Sequence, residues 1–146
     1  METTNEVVYA YAAGLFDGEG SISIGKNSSG NTFNLIVRVA MKASSPAVKW
    51  LHDNFGGSYG EFRHIRHAKR SAYMSQWTLS GYDALGFLNQ IKPYILERHE
   101  AVELALDFPM VGKGYHATPE QAEARGAIYD LMLGLNSKGK CRVKRL

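Results

Sequence analysis

Ala12-Ala13-Gly14-Leu15-Phe16-Asp17-Gly18-Glu19-Gly20 closes an apolar helix with glycines and places two carboxylates at its C-terminal end. A helix C-terminus carries partial negative charge, so an anion there lacks the usual electrostatic support. Two acids beside exposed carbonyls instead make an oxygen-rich cluster suited to a hard divalent cation. Upstream, Val7 to Phe16 has hardly any polar face, and a helix apolar on all sides is buried on all sides. Ala10, Ala13 and Gly14 share one stripe by helical spacing, and Val8, Tyr11 and Leu15 share the opposite one. The small stripe predicts close approach of another backbone; the large stripe predicts the helix's own core. Two copies meeting on the small stripe would bring two Glu19 side chains together, and their like charges favour Mg²⁺ or Ca²⁺ between them.

Downstream the pattern changes to period two. Ser21 to Lys26 alternates with Ile22 and Ile24 inward, a turn cluster follows at Asn27 to Asn31, and Phe33, Leu35, Val37 and Val39 mark a second strand pairing with the first. Ser45-Pro46 starts a helix that Gly56-Gly57 ends, with Ser45 as its cap. Strands are expected over 59–65 and 72–79, then helices over 82–91, 96–108 and 118–135. Thr118-Pro119-Glu120-Gln121 is a strong helix start. The order is α-β-β-α-β-β-α-α-α, with the αββ unit occurring twice and no repeat at the residue level. A single domain over 1–137 with a basic, flexible tail over 138–146 is expected.

Composition narrows the class. The chain has 146 residues, 45% hydrophobic, and one cysteine, Cys141, which excludes a disulfide framework and a Cys-rich zinc site. No apolar run reaches the ~20 residues of a membrane span, and the start lacks the basic region of a secretory signal. An intracellular, non-secreted protein is expected. Its 17 basic and 14 acidic side chains are segregated. Residues 34–80 hold seven basic and two acidic groups, residues 81–137 four basic and eight acidic, and the tail five basic and no acidic. One surface that meets a polyanion accounts for that division. The five histidines lack metal-ligand spacing.

The nonapeptide resembles the motif of the LAGLIDADG homing endonucleases, with Ala12 in place of its leading leucine and Phe16 in place of isoleucine. Flanking segments are similar as well: VRVAMKASSPAVKWLHDNFGG and QWTLSGYDALGFLNQIKPYILERHEAVELAL both read like that family, so the likeness covers roughly residues 5–108. The resemblance implies an α+β fold: an αββαββα core, an antiparallel DNA-binding saddle and extra C-terminal helices. It implies a site-specific DNA endonuclease that makes double-strand breaks in a long pseudo-palindromic target. Magnesium-assisted hydrolysis would activate water and stabilise the phosphate, with calcium binding but not supporting cleavage and no small-molecule cofactor. One motif implies a homodimer meeting through Ala10, Ala13, Gly14 and Asp17, in a bacterial or phage-infected cytoplasm or an organelle.

The same resemblance assigns roles. Glu19 becomes the catalytic metal ligand, the Gly18 carbonyl adds an oxygen, and Asp17 bonds backbone near the helix ends. Arg98 stands where the family usually has a lysine that balances charge at the cleaved phosphates. Ala40-Met41-Lys42 replaces a polar site near the attacking water, leaving Lys42 as a catalytic candidate. Double-stranded DNA would be read in the major groove by side chains opposite the apolar strand face. Those assigned to that face are Ser21, Ser23, Lys26, Thr32, Asn34, Arg38, Tyr59, Glu61, Arg63, Gln76 and Thr78. Arg38 and Arg63 suit guanine and Gln76 and Asn34 suit adenine. Arg66, Lys69, Arg70 and the tail would neutralise phosphates.

Plainer readings apply to the same residues. Asp17-Gly18-Glu19-Gly20 can be an acidic turn, the Ala/Gly stripe can be core, and Arg98 can pair along a helix face with Glu97, Glu100 and Glu103. The basic hairpin can simply be solvated. Rival functions are a non-catalytic nucleic-acid binder of the same fold (an intron maturase or a transcription regulator) and a metal-free protein-interaction module. A charged residue at Glu19 favours the nuclease.

Overall fold

Helix α1 (Glu2–Glu19) runs directly into strand β1 (Gly20–Lys26), so the motif is the junction of the first helix and the sheet. Strand β2 (Phe33–Lys42), helix α2 (Pro46–Phe55), strands β3 (Ser58–His67) and β4 (Arg70–Ser80), and helices α3 (Gly81–Ile91), α4 (His99–Leu106) and α5 (Pro119–Val143) follow, with a 3₁₀ turn at Lys92–Tyr94. The computed structural model describes residues 2–26, 32–67, 70–111 and 116–143. The architecture is α+β with the expected αββαββα order and two further helices.

The four strands form one antiparallel sheet in the order β1-β2-β4-β3. Each αββ unit contributes one hairpin, and the hairpins join along β2 and β4. Alternation sends Ile22, Ile24, Leu35, Val37, Val39, Trp77 and Leu79 to one side, where they are buried beneath the helices. Phe16 of the motif is buried among them and meets Phe87 edge-on at 5.8 Å. Phe87 in turn packs on Trp77 at 5.0 Å and Phe55 at 4.9 Å, so α1, α2, α3 and β4 share one aromatic centre. Trp77 Nε1 donates to the carbonyl of Gly56 at 2.6 Å, satisfying a buried indole. The turn there uses glycine of necessity: Gly57 has φ +86°, and a Cβ on it would lie 2.5 Å from Leu79 Cδ2 and the Thr78 carbonyl.

Helix α5 begins where its sequence predicts a start, and it does so in a reciprocal cap: Thr118 Oγ1 accepts from the Gln121 amide at 3.2 Å, and Gln121 Oε1 accepts from the Thr118 amide at 2.9 Å. It then covers the edge of the sheet. Ile128 and Met132 are buried, Tyr129 stacks near Phe33 at 5.4 Å, and Asn136 Nδ2 donates to the carbonyl of Ile22 at 3.1 Å. A helix over β1 blunts an edge that would otherwise template pairing with another chain. Arg125 Nε anchors α5 to the Pro109 carbonyl at 2.8 Å; burial holds its guanidinium below the ordinary value, partly opposed by Tyr82.

Several local expectations change. Helix α1 extends beyond 7–16 at both ends, because Glu2 to Glu6 is polar and lacks a periodic signature and Gly18 does not break the last turn. Ser45 occupies the cap position of α2, but its hydroxyl turns to Met41 Sδ at 3.8 Å instead of a helix amide. The helix expected over 96–108 starts only at His99, since residues 96–98 form a turn engaged elsewhere. Helix α5 continues past Leu135 to Val143.

Candidate nucleic-acid interface

The motif's two acids, two residues apart, face different surroundings. Asp17 is half-buried, and its carboxylate accepts three backbone N–H groups: Leu96 at 2.9 Å, Glu97 at 3.2 Å and Arg98 at 3.2 Å. Those amides precede α4, whose positive end supports an anion that the end of its own helix would repel. Asp17 thus bonds backbone near the helix ends, as the resemblance implies. Glu19 is exposed at the last residue of α1. Arg98 is brought against the motif by donating Nε–H to the Phe16 carbonyl at 3.0 Å, with its guanidinium 5.9 Å from the Phe16 ring centroid. It serves as a cation at the C-terminus of α1, not as a member of a salt-bridged face on α4.

Gly20 fixes how closely helix and strand meet, since a Cβ on it would collide with the Phe16 ring. Gly20 pairs with Val39, which sets Glu19 level with Ala40 and two residues from Lys42 at the end of β2. Lys42 is exposed there.

Among the described residues, no group of three or more His, Cys, Asp and Glu side chains is placed to hold a metal ion. One exposed carboxylate with the free carbonyls of the last helical turn, Gly18 included, is nevertheless an all-oxygen partial set. Magnesium commonly completes such a set with water and substrate phosphates, so the donors of this end of α1 fit that ion in type.

The helix stripe is rotated from its expected position. Ala13 is fully buried with Ala12 and Phe16, whereas Ala10 and Gly14 are exposed together with Val7, Tyr11 and Gly18. Tyr11, expected in the core, is 54% exposed and rests edge-on against Trp50 at 4.7 Å. Phe16 is the reason: its ring fills the aromatic centre and pulls Ala12 and Ala13 toward the sheet. An apolar groove lined by Val7, Tyr11, Leu15, Met41, Pro46 and Trp50 runs along the outer side of α1.

On the sheet face turned away from the helices, the strand pairing creates rows of side chains. Ser21, Arg38, Thr78 and Ser58 form one row across all four strands, and Ser21 Oγ donates to the Arg38 carbonyl at 3.5 Å. Ser23, Asn34, Gln76 and Thr78 fall on this face as expected, and Thr32 is exposed just before β2. Four assigned residues do not. Lys26 has the parity of Ile22 and Ile24, and its Nζ lies 5.4 Å from the Tyr129 ring and 5.7 Å from that of Phe33. Tyr59, Glu61 and Arg63 pair with Trp77, Ser75 and Tyr73, which places them on the helix side, Tyr59 beside His52 at 5.8 Å. A one-residue slip in the register of β3 exchanges every side chain between faces. Ser58, Gly60 and Phe62 take their places, joined by Ile36, Ala40, Lys42 and Met74. Trp77 is the signal that could have found this, since only an apolar partner such as Tyr59 suits its buried face. The side chains of Arg66 and Arg70, Lys69, and the side chains of the basic tail lie outside the described residues.

The sequence matches no family model and no curated protein. Solved structures do match. The homing endonuclease I-CvuI in complex with a DNA target is 14% identical, with 86% of this chain and 96% of that chain covered and a TM-score of 0.54. The LAGLIDADG homing endonuclease I-GzeII in complex with its DNA target is 19% identical over 82% of this chain and 42% of that one, at a TM-score of 0.62. An archaeal intron-encoded homing endonuclease complexed with DNA is 11% identical over 86% and 96%, at 0.52. On these matches, each with a TM-score above 0.5, the chain has the fold of the LAGLIDADG homing endonucleases.

Proposed function

We propose that the chain is a site-specific DNA endonuclease that acts as a homodimer and cuts both strands of a pseudo-palindromic target. The observation that carries this reading is the separation of roles at the end of α1. Asp17 is consumed by three backbone amides, Arg98 is anchored beside it, and Glu19 is left exposed next to the outward sheet face. The exposed stripe of Val7, Ala10, Tyr11, Gly14 and Gly18, with the groove beside it, supports a second copy packed on α1. That arrangement brings two Glu19 carboxylates together on the two-fold axis. The proteins of this fold named above are homing endonucleases solved with DNA, which supports DNA as the partner.

In this reading Glu19, with the Gly18 carbonyl, holds magnesium, which supplies Lewis-acid activation of water and phosphate when bound. Calcium occupies the same oxygens without supporting cleavage. Asp17 orients the 96–98 turn, and Arg98 offsets negative charge at the scissile phosphates; Lys42 lies close enough along β2 to share that task. Arg38 and Asn34, with Ser21, Ser23, Gln76 and Thr78, read bases in the major groove. No helix among the described residues is long and apolar enough to cross a membrane. The proposed setting is a bacterial or phage-infected cytoplasm or an organelle.

A second reading is a non-catalytic nucleic-acid binder such as a maturase or regulator, which would use the same outward sheet face without a metal. Selection of cleaved duplexes from a randomised library with Mg²⁺, run in parallel with Glu19→Gln, separates the two. Enrichment of one pseudo-palindromic cut site that the variant binds but does not cut supports the nuclease. Enrichment by binding alone, with no cutting by either protein, supports the second reading.

A further inference from the structure

The outward sheet face holds an apolar corner beside the base-reading Gln76 and Thr78. Phe62 on β3 and Met74 on β4 are cross-strand partners, and Lys42 on β2 completes their row. Phe62 is 38% exposed and Met74 half-buried, both on the face turned away from the helices. In the adjacent row Gln76 lies between Ala40 and Gly60, so its amide has almost no side chain on either flank. A Cβ added to Gly60 would meet nothing within 4 Å. The result is a shallow hollow at the β3 edge, lined by Ser58, Gly60, Phe62, Gln76 and Thr78 together with Tyr59 and Glu61 of the same strand, with Gln76 Nε2 donating to Thr78 Oγ1 at 3.4 Å.

We infer that this corner recognises thymine by its 5-methyl group, Phe62 and Met74 forming the apolar contact and Gln76 the polar one; the inference rests on the DNA-binding reading above. In the major groove thymine alone presents a methyl group, and its partner adenine presents the N6 donor and N7 acceptor that a glutamine amide matches. An apolar wall beside a glutamine therefore suits an A·T step and no other base pair as well. Arg38 and Lys42 on the same face supply the charge complementarity that selects a duplex over a protein as the occupant. Gly60 leaves the depth that a methyl group needs to reach Phe62.

The test uses the full chain and a duplex recovered from a randomised library by binding selection. Each thymine of that duplex is replaced in turn by deoxyuridine, which removes the methyl group and nothing else. At one thymine per half-site the substitution weakens binding about fourfold, the worth of one buried methyl group. Phe62→Ser combined with Met74→Ser abolishes that sensitivity and binds the thymine and uracil duplexes equally. Selective binding with no thymine sensitive to replacement overturns the inference and leaves the DNA-binding reading intact. Sensitivity that persists unchanged in the double variant also overturns it. Failure to bind any duplex overturns both. The uracil scan on the unaltered protein stands even where the double variant fails to fold.

Discussion

Arg98 Nε donates to the carbonyl of Phe16 at 3.0 Å across 82 positions of sequence, tying the turn before α4 to the last turn of the motif helix. The contact satisfies one of the carbonyls that a helix leaves without an intrahelical partner and sets a cation against the negative end of the dipole. It also anchors a positive charge to Phe16, three residues before Glu19. Arg98→Ala is expected to lower unfolding free energy by about 1.5–3 kcal/mol, the range for hydrogen bonds to charged groups, as measured by urea denaturation. Arg98→Lys keeps the charge without the planar fork and should regain cleavage more fully than stability. Equal recovery of both would count against a separate role in charge balance.

Asp17 and Glu19 should respond in opposite ways to the loss of one charge. Asp17→Ala strands three backbone amides and is expected to cost about 1–3 kcal/mol of stability. Glu19→Gln changes an exposed side chain and should leave stability within about 0.5 kcal/mol. Cleavage should nevertheless fall by at least about a hundredfold, the scale of losing a preorganised electrostatic group, with DNA affinity retained. Thermal unfolding beside a cleavage and binding assay decides it. A Glu19→Gln protein that unfolds early would remove its catalytic assignment.

The exposed stripe of α1 makes the proposed dimer testable at Gly14. A Cβ there meets nothing within 4 Å in the single chain, so Gly14→Arg leaves the protomer folded. Relief of the helical glycine offers about 0.5–1 kcal/mol of stabilisation to offset other losses. Two opposed arginines on a close helix contact would separate the copies. Sedimentation is expected to shift from dimer to monomer with the near-native melting temperature kept. A variant that stays dimeric would place the contact elsewhere.

Gly20 is a packing residue with a sharp prediction. Gly20→Ala drives a Cβ into the Phe16 ring and should cost about 1–3 kcal/mol through overpacking. Pairing it with Phe16→Leu should recover part of that loss, since the ring is the obstacle. Denaturant midpoints of the single and double variants give the coupling directly.

Faces of the sheet separate Arg38 from Arg63. Arg38→Ala is expected to lose about 1–3 kcal/mol of discrimination at one base pair per half-site, whereas Arg63→Ala, on the helix side of β3, leaves base preference unchanged. Binding to a panel of single-base variants of the selected duplex measures both. A preference lost in Arg63→Ala and kept in Arg38→Ala would reverse the assignment of faces.

Most of this protein's architecture is legible locally. The switch from helical to alternating spacing after Gly20, the Gly56-Gly57 turn and the Thr118-Gln121 cap each depend on interactions within a few residues, and the element order follows from them. So does the presence of two acids at the end of an apolar helix. What the chain alone left undetermined concerns which way a given face turns. Helix α1 is apolar nearly all round, so no periodicity could say that Phe16 would point to the aromatic centre and carry Ala13 inward while leaving Tyr11 out. Strand β3 mixes Tyr59, Phe62, Glu61 and Arg63 without a clean alternation, and only its pairing with Trp77 on β4 orients it. The fates of Asp17 and Glu19 likewise depended on the 96–98 turn, about eighty residues away, arriving beneath one carboxylate and not the other. Local propensity acts over a few residues, whereas register and rotation are set by contacts between distant segments, and those exist only once the chain has closed on itself.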